Sequence, residues 1–269
     1  MAASLANNRS VARQVTLTAI ALVALVLVLV GLAIAVLTER STRAQVVASV
    51  GDTAQSVAQS LDAADNTNRE LVQLTMKGFQ RYFEATMQLD EASGELRSYG
   101  ALVNEDYGSV DKFASETGGI ATVFAKKGDD FVRITTSVKN EQGARQQGTP
   151  LGKDDPAYAT VAKGEPYTGV TVVGGKPFMG HYLPAKDASG KVIALLFIGN
   201  DISVFHAMLQ KQVTQTKFFE HGGTYVINPG TSLDKAVFVY HPTARGKRVL
   251  EAYPQARPFF EALAASPDG

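Results

Sequence analysis

A run of hydrogen-bond donors on one predicted strand is the clearest chemical pattern in the sequence. If Phe131 to Lys139 is extended, its side chains alternate between two faces. One face then carries Phe131, Arg133, Thr135, Ser137 and Lys139, and the mainly apolar other face should meet the core. A guanidinium beside hydroxyl groups offers the donors that a carboxylate accepts. The alternation by itself favours an ordinary solvated face over a carboxylate site, so both interpretations stay open at this point.

Neighbouring predicted strands contain further polar side chains that could complete a donor-rich pocket. These are Tyr167, Lys176, His181 and Tyr182. The sequence does not settle which face of the sheet each of them occupies.

Searches for catalytic and metal-binding motifs find none. The chain contains no cysteine, no H-E-x-x-H motif and no G-x-S-x-G elbow. No two histidines are three to five residues apart, the spacing expected of metal ligands. The histidines are His181, His206, His221 and His241. Gly143 and Gly148 have the spacing of a phosphate loop, but Thr149-Pro150 follows where Lys-Ser/Thr is required. We therefore expect no enzymatic activity, no metal and no cofactor.

Charge and composition exclude one further class of partner. The chain has 26 Lys+Arg, 26 Asp+Glu and 45% hydrophobic residues, which can supply a sizeable core. Nucleic-acid binding would need a basic face. We expect no nucleic-acid partner.

An apolar run near the N-terminus predicts a membrane anchor. Residues Val15 to Leu37 number 23, enough to span a hydrocarbon core of about 30 Å. A cleaved signal peptide is the alternative, although its apolar region is shorter, about 7–15 residues. Arg9 and Arg13 precede the run without an acid, which places residues 1–14 in the cytoplasm and residues 38–269 outside the plasma membrane, as a single-pass protein.

A long helix is expected after the anchor, over residues 38–90. Apolar and small residues recur there at alternating three- and four-residue steps, a heptad pattern that keeps one seam facing a partner helix. The seam predicts a homodimer through residues 41–89, with the polar Asn68 setting its register. A long amphipathic helix lying on its own domain is the alternative.

The remaining sequence predicts an antiparallel α+β domain. Residues 91–203 contain five strands with a short helix from Asp154 to Ala162 inserted after the second, and the strand from Lys191 to Asn200 is apolar enough for the sheet centre. A linker helix is expected over residues 204–221, beginning near Ser203 and broken at His221. Residues 222–269 then predict a hairpin and a helix, Pro254 to Ala265, which look like the start of a second, truncated module.

Several segments in this order resemble the extracytoplasmic Cache sensor family of bacterial receptors, in particular the Cache 3/Cache 2 fusion type of methyl-accepting chemotaxis proteins. They are GDDFVRITTSVKNEQGARQQGTPLGKDDPAY, GEPYTGV and GGKPFMGHYLPAKDASGKVIALLFIGNDIS, followed by GGTYVINPG and VFVYHPTARGKRVL. The resemblance implies a PAS-like sheet that binds a small molecule, a dimer, and signalling through helices in chemotaxis. The ligand-side positions it suggests are Arg133, Thr135, Ser137, Tyr167 and Tyr182.

The function we expect is the sensor part of a bacterial chemoreceptor that binds a small molecule, with a carboxylate favoured by Arg133 and Lys139. The chemotaxis kinase and coupling proteins would be reached only through a downstream region that this sequence lacks. Two alternatives stay open: the same sensor on a histidine kinase or diguanylate cyclase, and a membrane-anchored interaction protein that binds no ligand.

Overall fold

A computed structural model describes residues 2–215, 217–218 and 222–266, which divide into two compact units at Ala58 and Gln59. Helix α1, Ala2–Gln80, supplies the whole of the described N-terminal unit and the first residues of the second. Its apolar side chains between Val15 and Leu37 are exposed. An 18-residue window of this helix has a mean hydropathy of 3.3, so the helix is long and apolar enough to cross a membrane, a property that signal sequences share.

Within the second unit, the last turns of α1 pack against the rest of that unit through one face. Val72, Met76 and Phe79 are buried there, while Leu71 and Leu74 remain 52% and 61% exposed. The predicted helix over residues 38–90 extends too far: α1 ends at Gln80, and the chain turns so that Phe83 and Met87 also enter the core. This tertiary burial overrides a local sequence that contains no helix-breaking proline.

A small meander and a helix follow α1. Strands β1 (Gln88–Asp90), β2 (Glu95–Ser98) and β3 (Ala101–Leu102) pair antiparallel in that order. Helix α2 (Gly108–Thr117) ends at Gly118, whose φ of 70° suits a residue without Cβ. Val110 and Phe113 bury the inner face of α2.

The main sheet has five antiparallel strands in the order β5-β4-β8-β7-β6. Its members are β4 (Ile120–Lys127), β5 (Asp130–Thr136), β6 (Tyr167–Val173), β7 (Lys176–Lys186) and β8 (Val192–Asp201), with the short helix α3 (Tyr158–Val161) between β5 and β6. The predicted α+β class and the central position of the most apolar strand, β8, are confirmed.

Both faces of this sheet are covered by apolar side chains. One face packs against α1 and α2 through residues such as Val123, Leu196 and Ile198. The other packs Phe124, Leu195 and Phe197 against α3 and the loop before it, and we call it the α3 face. The two faces belong to separate clusters of buried residues, so the side on which a residue lies decides what it can contact.

A second, smaller group of elements closes the described chain. It comprises α4 (Ser203–Gln215), β9 (Lys217–Phe218), β10 (Gly222–Gly223), β11 (Val226–Asn228), β12 (Val237–Tyr240), α5 (Val249–Ala252) and α6 (Arg257–Ala265), with 3-10 turns at Leu233–Lys235 and Pro254–Ala256. The predicted hairpin is confirmed by antiparallel pairing of β11 and β12. The predicted linker helix is too long, because β9 begins at Lys217, and its expected break at His221 lies outside the described residues.

Candidate ligand-binding site

A β-bulge in β5 decides which of the predicted donors share a face. Phe124 of β4 pairs with Arg133, but the preceding Val123 pairs with Thr135, so Ile134 is an extra residue in β5. One inserted residue moves every later side chain to the opposite face, since strand side chains alternate with a period of two. Arg133 therefore lies on the α3 face, whereas Thr135 lies on the face that meets α1 and α2.

The prediction of one shared face is therefore wrong for the residues after the bulge. It placed Arg133 together with Thr135, Ser137 and Lys139. Thr135 is fully buried and donates through Oγ1 to the carbonyl of Asp106 at 2.8 Å. Ser137 Oγ accepts from the amide of Ala121 at 2.9 Å. Lys139 is exposed, and its backbone forms an isolated antiparallel β-bridge with Arg145. These three side chains bind their own chain or face solvent, away from Arg133.

A partly open cavity of about 180 Å³ lies on the α3 face. Its walls come from β5, the loop before α3, the β6–β7 turn and the middle of β7 and β8, and they are formed by Arg133, Gln146, Pro150, Leu151, Asp155, Thr171, Val172, Val173, Gly174, Tyr182 and Phe197. Of the predicted site residues, the structure brings Arg133 and Tyr182 together in this lining.

Arg133 enters the cavity wall as a largely buried cation. Its Nη1 donates to Thr149 Oγ1 at 2.7 Å and to the carbonyl of Gln146 at 3.2 Å, and its guanidinium lies 5.2 Å from the ring centre of Phe124. Its Nε is buried and has no hydrogen-bond partner. No carboxylate of the described residues forms an ion pair with it. Burial lowers the pKa of Arg133, but an arginine remains protonated.

Tyr182 stands between aromatic rings on the same face. Its ring centre is 4.4 Å from that of Phe197, 6.3 Å from that of Tyr167 and 6.5 Å from that of Phe124. Burial, and next the negative charge of Asp155, raise the pKa of Tyr182 well above its ordinary value. Its hydroxyl therefore stays neutral and can both donate and accept a hydrogen bond at the cavity.

The remaining predicted residues lie around the cavity or on the opposite face. Tyr167 contacts the edge of the aromatic group without lining the cavity. Lys176 is exposed at the start of β7. His181 lies on the face of the sheet that meets α1. Its Nδ1 lies 2.7 Å from Thr168 Oγ1 of β6, and burial lowers the pKa of its imidazole. The same Thr168 accepts at its carbonyl from Arg69 of α1 at 2.6 Å.

Three polar lining residues, Gln146, Asp155 and Thr171, were missed by sequence reasoning. Gln146 lies between the glycines that failed as a phosphate loop, and no local pattern connects it with Arg133. Asp155 has the signature of a helix cap, and its Oδ1 does accept from the amide of Ala157 at 2.8 Å. A capping role and a place in the cavity wall are compatible, because a carboxylate has a second oxygen.

Three glycines lie side by side across the sheet beneath the aromatic group. Gly169 of β6 pairs with Gly180 of β7, which pairs with Gly199 of β8. A Cβ on Gly180 would lie 3.0 Å from Phe197 and 3.1 Å from Thr171, and one on Gly169 would lie 2.6 Å from the Tyr167 hydroxyl oxygen. The missing Cβ atoms therefore provide the space into which these larger side chains fold. We call this row the glycine row.

No group of three or more His, Asp or Glu side chains within the described ranges is arranged to hold a metal ion. The polar groups that the structure does bring together at the cavity are a guanidinium, a carboxylate, an amide and two hydroxyls. Their chemistry is that of hydrogen bonding and charge recognition.

Comparison with known proteins identifies a family. The model of the Cache 3/Cache 2 fusion domain matches residues 36–269. No curated protein matches the chain significantly. Among solved structures, the ligand-binding domain of the Pseudomonas aeruginosa amino acid chemoreceptor PctC, described in complex with GABA, is 14% identical, with a TM-score of 0.37 over 73% of this chain and 81% of that one.

A second solved structure is the extracellular domain of a protein described as a histidine kinase. It is 12% identical, with a TM-score of 0.31 over 72% of this chain and 77% of that one. The family match covers α1 from Val36, the PAS-like five-stranded sheet and the elements that follow it. This chain belongs to the Cache 3/Cache 2 fusion domain family and carries a sensor domain of that family.

Proposed function

We propose that the chain is the membrane-anchored, extracytoplasmic sensor of a bacterial chemoreceptor and that it binds a small carboxylate at Arg133. The observation that carries this proposal is the largely buried guanidinium of Arg133, which lines a cavity and forms no ion pair among the described residues. Buried charges in proteins are ordinarily paired. A bound carboxylate would supply the missing negative charge.

Calorimetry on the full chain in detergent tests this site. The ligands are short-chain carboxylates with and without amino groups. Truncating one partner of a buried charged hydrogen bond costs about 2–5 kcal/mol, so Arg133→Ala should weaken binding by at least about thirtyfold. Lys127→Ala, which removes an exposed positive charge from the neighbouring β4–β5 turn, should bind as the wild type does. Unchanged affinity in Arg133→Ala would exclude this site.

Signal transfer is proposed to run through α1. The β6–β7 turn lines the cavity, and β6 is tied to α1 by the hydrogen bond from Arg69 to Thr168. A ligand shifts the arrangement of the helices only as far as it binds the two arrangements differently. In a dimer through the predicted seam, the exposed Leu71 would meet its counterpart on the second copy.

The membrane topology has its own test. Residues 1–14 are proposed to be cytoplasmic and residues from about Thr38 extracytoplasmic. Alkaline phosphatase fused after Asp62 should then be active. An inactive fusion, together with an active cytoplasmic reporter at the same position, would reverse the orientation.

A further inference from the structure

One wall of the cavity comes from an extended segment, residues 144–151, which we call the strap. Three of its backbone amides donate to carbonyls of residues 131–138 at 2.8–3.0 Å, namely those of Gln146, Gly148 and Leu151. The side chain of Gln146 lines the cavity, and Thr149 Oγ1 accepts from Arg133 Nη1 at 2.7 Å. A wall of the cavity and a partner of Arg133 therefore depend on where the strap lies.

Arg145 fastens the strap to α2. Its Nη1 and Nη2 donate to Oδ1 and Oδ2 of Asp111, each at 2.7 Å, and Nη1 also donates to the carbonyl of Thr136 at 2.7 Å. The guanidinium lies 4.0 Å from the ring centre of Tyr107. Two parallel bonds between a guanidinium and a carboxylate fix orientation as well as charge. The Arg145 side chain is only 19% exposed, so solvent screens this pair less than an ordinary surface ion pair.

Gln147 ties the strap to the loop before α2. Its Oε1 accepts from the Tyr107 hydroxyl at 2.6 Å, and its Nε2 donates to Glu105 Oε1 at 3.0 Å. Glu105 has a φ of 61°, a left-handed conformation that a residue with a Cβ keeps only where its surroundings hold it. Side chains of an extended segment alternate in direction. Arg145 and Gln147 accordingly bind α2 and its preceding loop, while Gln146 between them reaches the cavity.

We propose that the pair of Arg145 and Asp111 is a positioning element for the carboxylate site, one that holds the strap in place without touching the ligand. This inference rests on the proposed function and adds to it two residues outside the cavity on which affinity depends. Neither of them lines the cavity. If the strap is in place in only a fraction of the molecules, the apparent affinity falls by that fraction.

Hydrogen exchange and calorimetry on the full chain in detergent test the proposal, with propionate and alanine as the probes. Arg145→Ala should weaken binding of the tighter probe about tenfold, which corresponds to a strap in place in about one tenth of the ligand-free molecules. The three strap amides should then exchange nearly as fast as in an unstructured chain, whereas the amides of β8 should exchange as in the wild type. A general loss of fold would accelerate exchange in both places.

Two further variants separate this pair from the loss of any arginine. Arg97→Ala removes an exposed ion pair in the meander, where Nη2 lies 2.8 Å from Glu95 Oε2, and should change neither measurement. Asp111→Asn should weaken binding in the wild type but not further in Arg145→Ala, because the effects of two residues that act as one unit do not add.

Failure of the positioning role can be told apart from failure of the site. Strap amides that stay protected in Arg145→Ala, or an affinity that is unchanged although their protection is lost, would overturn the positioning role and leave the Arg133 site in place. Binding that survives Arg133→Ala, or no binding of either probe to the wild type at millimolar concentration, would overturn the proposed site together with the positioning role.

Discussion

At the scale of single residues, Arg133 combines function with a cost in stability. A buried charge without a counter-ion destabilises the folded state, and replacing such a group by an apolar one of similar size is often stabilising. Thr149 Oγ1 also donates to the carbonyl of Gln146, so it keeps a partner when Arg133 is removed.

Arg133→Met should therefore raise the free energy of unfolding of the ligand-free protein by about 1 kcal/mol while abolishing carboxylate binding. Urea denaturation and calorimetry on the same preparation check the two effects. A less stable variant would mean that the hydrogen bonds of Arg133 outweigh the desolvation of its charge.

The burial of His181 predicts how the free energy of unfolding depends on pH. Burial lowers its pKa below the ordinary value of 6.5, so the folded protein keeps the imidazole neutral while the unfolded chain takes up a proton below that pH. Its stabilising contribution is complete above pH 6.5 and is lost as the pH falls towards the lowered pKa.

His181→Gln should make the urea midpoint less sensitive to pH between about pH 7 and pH 5. His241 is the histidine for comparison with His181: burial lowers its pKa as well, and it lies in the second group of elements. An identical pH dependence in wild type and His181→Gln would show that the acid sensitivity arises elsewhere.

At the scale of elements, the hydrogen bond from Arg69 to Thr168 is one connection between α1 and β6, a strand that lines the cavity. Arg69 also pairs with Asp65 one turn earlier on α1, with Nε 2.5 Å from Oδ2, which fixes the direction of its side chain towards β6. Its effect on signalling can be separated from ligand binding, because Arg69 does not line the cavity.

Arg69→Ala should leave ligand affinity within about threefold of the wild type. It should abolish the ligand-induced change in the rate at which Leu71→Cys, on the exposed face of α1, forms disulfides with a second copy. Gln73→Ala, which removes the longer hydrogen bond of 3.3 Å to Thr168 Oγ1, should reduce that change less. A full response in Arg69→Ala would show that the signal takes another route.

The bulge in β5 explains which parts of the site sequence reasoning could reach. Period-two patterns predicted the strands and the antiparallel sheet, and they placed Arg133 and Phe131 together correctly because both precede the inserted residue. Beyond Ile134 the same alternation assigned Thr135 and Ser137 to the wrong face, since β5 carries no glycine or proline there to signal a bulge. Asp155 and Gln146 reach the cavity through loop geometry, which no short-range pattern encodes.

At the scale of the whole molecule, a dimer through α1 remains a prediction of the heptad pattern. The chain contains no cysteine, so a single introduced cysteine reports one position without background. Val57 and Leu61 lie on the predicted seam, and Gln59 lies on another side of the helix.

Val57→Cys and Leu61→Cys should each form a disulfide-linked dimer in membranes under mild oxidation, whereas Gln59→Cys should do so much more slowly. Non-reducing electrophoresis measures the yield. Equal yields at all three positions would argue against a defined seam and for the alternative in which α1 serves only its own chain.

The glycine row separates the size of the accepted molecule from the charge that recognises it. A methyl group added at Gly180 would have to displace Phe197 and Thr171, two walls of the cavity, although Gly180 itself is not part of the lining. A small substitution at Gly180 would thus change the size of the cavity without altering Arg133. Substitution at Gly180, which does not line the cavity, could then give receptors that prefer ligands of a different length.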